Sequence, residues 1–171
     1  MEFNLPQNKK IVLLSLFSKP THETKKFSPK SYSTDYSKHL VKLLYDKNIY
    51  TVQIAISEEP SLGADIRFDN LSFPDLKILC SKIDSFVCCD NFFQHFIHYY
   101  DPQKIGIVIF SQSDPKLFGY NSNVNLLKDP KYLRPGKEQY QFWEGVNYEK
   151  SAFTTPEIVL ENMCNLLGVK D

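Results

Sequence analysis

The sequence predicts an α/β fold with a doubly wound, mostly parallel sheet of five or six strands. Three observations predict it. Segments 10–15, 85–89 and 105–110 are nearly unbroken apolar runs, as in strands covered on both faces. Segments with helical spacing separate them, and right-handed crossovers then place helices on both faces of the sheet. The 171 residues, 42% hydrophobic and 23% charged, suit one domain spanning 1–171 that buries a core without disulfides or metal.

The elements follow in order. The first strand is 10–15, and the connection 17–33 after it is rich in Ser, Thr, Lys and Pro. That length is unusual for a plain connection and marks a candidate functional loop. A helix over 34–47 places Tyr36, Leu40, Leu43 and Leu44 on one face, with Ser33, Thr34 and Asp35 as N-cap candidates. Strands are predicted at 50–56 and 65–68. Ser72 and Asp75 read as a capping box, with Pro74 tolerated in the first turn of a helix through Leu76, Leu79 and Cys80. A strand at 85–89 leads to a short aromatic helix over 91–100. A strand at 105–110, a loop at 111–120 and a short strand at 124–127 come next. The segment 128–153 is irregular, polar and aromatic. A last helix over 155–167 starts at Thr155 and Pro156 and stops at Gly168.

Composition narrows the function classes. The 20 basic and 20 acidic side chains balance, which argues against duplex nucleic acid as a partner. The N-terminal stretch has no apolar core of a signal peptide, and no apolar run has the length of a membrane span. A soluble, cytoplasmic protein is the expectation. Cys80, Cys88, Cys89 and Cys164 lack a C-x-x-C pair, so buried reduced thiols are expected rather than a zinc or thioredoxin-like site.

Ligands of doubly wound sheets sit beyond the carboxyl ends of the strands, so the loops after Ser15, Cys89 and Phe110 are expected at one edge. Asp90-Asn91-Phe92-Phe93-Gln94-His95 follows a core strand and opens a helix. Free amides of Asn91 and Phe92 at a helix start suit a phosphate, with His95 one turn on. The same residues also read as a cap at Asp90 and a core histidine at His95. Phe110-Ser111-Gln112-Ser113-Asp114-Pro115 reads either as turn chemistry or as hydroxyls offered to a ligand, with Phe118 or Tyr120 against a base. Lys19, Lys25, Lys26 and Lys30 of the first loop read as a solvated run or as cations for a diphosphate. There is no G-x-G-x-x-G and no Walker A motif.

These two motifs, in this order and strand context, resemble the C-terminal domain of glycosyltransferase family 9, the group of the lipopolysaccharide heptosyltransferases. Its pattern runs Asp-(Ser/Thr)-Gly-Pro-x-His, a strand, then Phe-Gly-x-(Ser/Thr)-x-Pro. The first is matched by Asp90 to His95 and the second by Phe110 to Pro115, while Phe92 stands where the family has glycine. The resemblance covers about residues 9–120 and the final helix. It implies a Rossmann-like half of a GT-B architecture that binds a nucleotide-sugar donor, with no cofactor or metal. By the same resemblance Lys25 or Lys26, Asp90, Asn91, Phe92 and His95 hold the phosphates, and Ser111, Ser113 and Asp114 border the sugar or ribose. The acceptor and a general base then belong to a separate acceptor-domain partner or to a homo-oligomer. The alternative is a non-catalytic nucleotide- or protein-binding module, with the aromatic run Tyr140 to Trp143 as a partner surface. A nucleotide hydrolase or deoxyribosyltransferase using Glu58, Glu59 and Asp90 is a third reading.

Overall fold

The computed structural model describes residues 2–19, 28–143 and 145–170. Six strands form one sheet: β1 (Ile11–Ser15), β2 (Tyr50–Ala55), β3 (Ile66–Asp69), β4 (Ser85–Cys89), β5 (Ile107–Phe110) and β6 (Val124–Leu127). The order is β3-β2-β1-β4-β5-β6, and every neighbouring pair is parallel. The five or six mostly parallel strands of the sequence reading are therefore six among the described residues, all parallel.

Local chemistry explains the helices between them. Helix α1 (Thr34–Asp46) begins where the Ser33 hydroxyl accepts the Tyr36 amide at 3.2 Å, satisfying one of the orphan donors of the first turn. It ends just before Asn48, whose φ of 57° is a left-handed conformation that asparagine tolerates better than most residues. Helix α2 (Phe73–Cys80) starts at the expected Ser72 cap, which receives the Asp75 amide at 3.2 Å. Helix α3 (Phe92–Tyr100) starts one residue later than expected, because Asn91 is its cap. The predicted loop 111–120 contains a single turn, α4 (Pro115–Phe118), since Asp114 accepts the Lys116 amide and Pro115 presets the helical φ. Helix α5 (Pro156–Leu167) stops at Gly168, whose φ of 66° closes the helix in the left-handed region.

Alternate strand residues feed two cores, one on each face. Val12, Leu14, Val87, Ile107 and Ile109 pack with Leu40, Val41 and Leu44 of α1 and with Val159 and Met163 of α5. Ile11, Leu13, Val52, Phe86, Cys88, Val108 and Phe110 pack with Leu76 and Leu79 of α2 and with Phe93 and Ile97 of α3. The period-2 alternation of a strand thus serves two apolar layers, which is why the runs in the sequence are unbroken. Gly106, just before β5, is where the Phe86 ring crosses the backbone: a Cβ there would lie 2.5 Å from the ring. All four cysteines are buried.

Between β1 and β4 the winding reverses. The crossover from β1 to β2 uses α1 on one face, while those from β3 to β4 and from β4 to β5 use α2 and α3 on the other. A crevice opens at such a reversal, outside the carboxyl ends of the strands. The segment 128–153 holds three short 3₁₀ turns and returns to the first core, where Phe153 is buried beside Tyr32, ring centroids 5.8 Å apart. The Tyr32 hydroxyl donates to the Thr154 carbonyl at 2.8 Å, joining the end of the first loop to the end of the tail. Among the described residues no helix is long and apolar enough to cross a membrane.

Candidate functional site

The loops after β1, β4 and β5 meet at the carboxyl edge, and Asn91 joins the first two. Its side-chain amide donates to the carbonyls of Ser15 and Phe17, each at 2.9 Å, and to the Ser15 hydroxyl at 3.0 Å. Its Oδ1 accepts the Phe93 amide at 2.9 Å and caps α3. Asparagine suits this position because it carries donors and an acceptor on one short side chain. The fit fixes the start of α3 against the end of β1.

Asp90 joins the second and third loops. It is buried, and its carboxylate accepts from the Ser113 hydroxyl at 2.7 Å and from the Gln94 side-chain amide at 2.8 Å. The Lys30 ammonium lies 2.7 Å from Oδ2 of the same carboxylate. A buried carboxylate needs such a set, because its desolvation is costly unless charge and hydrogen bonds replace water. Ser111 is buried too and donates to the Pro29 carbonyl at 3.2 Å. Ser111 and Ser113 thus spend their hydroxyls on the protein, holding the third loop against the first and second. Asp114 caps α4, and its own backbone amide is held by Gln139 at 3.0 Å.

The Phe93 amide is taken internally by the Asn91 cap. The Phe92 amide, at the first position of α3, is one the helix can offer. The Phe92 ring is half exposed and turns sideways, 6.5 Å from the ring of Phe73. His95 is exposed rather than in the core, and its Nδ1 lies 2.9 Å from the Tyr120 hydroxyl. Tyr120 also stacks on His98, centroids 3.7 Å apart. Lys25 and Lys26 lie outside the described residues.

A cleft of about 110 Å³ opens beside Phe92, lined by Ser15, Phe17, Ile54, Glu59, Asn70 and Leu71 among others. It spans the carboxyl ends of β1 and β2 and the mouth of α3, the crevice expected from the topology. Burial raises the Glu59 carboxyl from 4.5 to about 7, against the opposing pull of the Ile56 amide and Arg67. A perturbed acid in a crevice is a candidate functional group on physical grounds. A cavity of about 260 Å³ lies at the start of α1, lined by residues 31–35, Tyr148 and Lys150. The larger hollow of about 610 Å³, between the N-terminal segment, Lys82 and Asp84, is at the amino end of the strands, the edge that ligands of such sheets do not use.

Sequence reasoning named the three loops that meet at this edge and the Asp90, Asn91, Ser111 and Ser113 side chains that join them. It gave Glu59 only to a minor reading, and it missed Gln94 and Gln139, which fasten the loops. Gln94 carried one signal, its place four residues after Asp90, which brings the two side chains together on a helix. Gln139 carried none, because its partners are backbone atoms, two of the three in a distant segment.

No protein-family model matches the sequence, and no curated protein matches it either. Solved structures do match. Heptosyltransferase WaaC of E. coli, solved with ADP, superposes with a TM-score of 0.58 at 16% identity over 95% of this chain and 46% of its own. A glycosyl transferase of family 9 from Veillonella parvula gives 0.70 at 12% identity, over 97% and 48%. The E. coli ADP-heptose LPS heptosyltransferase II gives 0.63 at 13% identity, over 95% and 48%. The chain therefore spans about half the length of each. It has the Rossmann-like fold of one half of these glycosyltransferases.

Proposed function

We propose that this chain binds a nucleotide-sugar donor at the carboxyl edge of its sheet and presents it for glycosyl transfer. One observation carries the reading. The crevice at the winding reversal is bounded by a preorganised helix mouth and by Glu59, in a fold for which a similar solved structure holds ADP. Asp90, Asn91, Ser111 and Ser113 act by position: they fix three loops so that the Phe92 amide and the positive end of α3 face a phosphate. Lys25 and Lys26, which precede Lys30 in the sequence, add charge to this stretch. Glu59, in the turn after β2, is matched in this reading to the acid that accepts ribose hydroxyls in dinucleotide-binding sheets.

In the transfer, an acceptor hydroxyl forms the new bond to the anomeric carbon as the bond to the diphosphate breaks. The nucleoside diphosphate departs with the electron pair, and a base takes the hydroxyl proton. This chain's groups stabilise the leaving charge by cations and amide dipoles. In this reading the acceptor and the base are supplied from outside this domain, across the carboxyl edge.

Calorimetry with ADP, GDP, UDP and CDP and their sugars tests the reading, with micromolar binding of one base class expected. Uniform absence of heat overturns it. The internal use of the Phe93 amide favours a second reading, a binding module without turnover. That version binds the nucleotide sugar but releases no nucleoside diphosphate with any acceptor.

A further inference from the structure

The irregular tail is fastened over the carboxyl edge. The Arg134 amide donates to the Gln112 carbonyl at 3.0 Å. Gln139, nearly fully buried, donates to the carbonyls of Gln112 at 3.1 Å and Arg134 at 2.8 Å while accepting the Asp114 amide. The result brings Trp143, the chain's one tryptophan, over the loop cluster. The Lys30 ammonium lies 4.6 Å from the indole centroid, and the Arg134 guanidinium carbon lies 4.4 Å from it. The two cations are therefore within about 9 Å of each other.

Like charges this close repel. Asp90 faces Lys30, whereas Arg134 meets carbonyls, Phe142 at 3.3 Å and Gln141 at 3.5 Å. Among the described residues no carboxylate pairs with Arg134. An indole holds a cation through its quadrupole without cancelling the charge, as a carboxylate would. Among the described residues Arg134 is thus positioned but not neutralised.

We propose that Lys30, Arg134 and Trp143 form a polyanion grip, built by the tail, that binds the diphosphate of the ligand. It rests on the function proposed above and names new residues for that site. Arg134 supplies the planar fork that matches phosphate oxygens, Lys30 a point charge, and Trp143 the platform that holds both. Arrival of the anion draws the cations off the indole, so the emission of Trp143 changes on binding.

The test titrates the whole chain with the four nucleoside diphosphates, their nucleosides and inorganic pyrophosphate, by calorimetry and Trp143 fluorescence. Arg134→Gln and Lys30→Gln are each expected to weaken diphosphate and pyrophosphate about tenfold, the size of one charged hydrogen bond, and to leave the nucleoside unaffected. Emission is expected to change with pyrophosphate and not with the nucleoside. If Arg134→Gln binds the diphosphate within twofold of the native protein, the grip is overturned while the donor reading stands. If pyrophosphate binds but no nucleotide does, the grip stands and the donor reading falls. If neither binds, both fall. Should Lys30→Gln fail to fold by circular dichroism, Arg134→Gln and the emission of the native protein decide.

Discussion

At the scale of single residues, the buried polar groups carry the sharpest consequences. The Asp90 carboxylate is surrounded by Lys30, Ser113 and Gln94. Asp90→Ala leaves a half-hidden ammonium and two hydrogen-bonding groups without their acceptor. A loss of about 3 kcal/mol is expected in urea denaturation, as for the breaking of other buried pairs. Glu59 behaves in the opposite sense to a paired carboxylate. Burial raises its folded value from 4.5 to about 7, so the folded state holds the proton more firmly than the unfolded one. Its contribution to stability is therefore greatest at about pH 4.5 and below, falls as pH rises to about 7 and is flat beyond. Glu59→Gln removes this slope, so the urea midpoint of the variant should gain on that of the native protein between pH 5 and pH 8. A ribose hydroxyl bonded to the ionised acid adds a second signature, tighter nucleotide binding as pH rises through 7.

At the scale of elements, α3 depends on its cap more than on its propensity. Phe and Tyr are ordinary helix formers, and a helix of nine residues is marginal without tertiary support. Asn91→Ala removes the cap and three bonds to the first loop, and about 2–3 kcal/mol is expected from the cap and the orphaned carbonyls. Asn91→Asp separates the two roles. It keeps the acceptor for the Phe93 amide but sets a negative charge against the carbonyls of Ser15 and Phe17. It should therefore unfold at lower urea than the native protein despite preserving an N-cap residue. Gly106 makes a comparable point for β5. The Phe86 ring occupies the space of a side chain, so Gly106→Ala forces β4 and β5 apart at a cost of about 1–3 kcal/mol, read as a lowered thermal midpoint.

At the scale of the whole molecule, the tail closes the fold as well as the site. Phe153 and Tyr32 bring together two ends of the irregular chain against α1 and α5. Phe153→Ala opens a cavity in the first core, and about 3–5 kcal/mol of destabilisation is expected in denaturant unfolding. The strands, their mostly parallel sense and the edge where the three loops meet were legible in the sequence because each rests on a local pattern: apolar runs, caps, and Pro or Gly at element ends. The cap at Asn91 was half legible, since the residue type was plain but the partners in the first loop were not. Lys30 stood in the sequence as one lysine among four in its loop, and only the fold pairs it with Asp90.

What the sequence alone determined was the alternation of strand and helix and, through it, a doubly wound sheet with the loops after Ser15, Cys89 and Phe110 at one edge. Periodicity and capping are properties of neighbouring residues, and they survive without knowledge of the rest of the chain. The tertiary structure decided which polar groups turn inward and which remain open. It sent the Asp90, Ser111 and Ser113 side chains to each other or to backbone, set Glu59 in the crevice, and drew Arg134 and Trp143 from the tail to Lys30. Those outcomes depend on atoms far apart in sequence competing for the same desolvated space, and no local pattern records who wins.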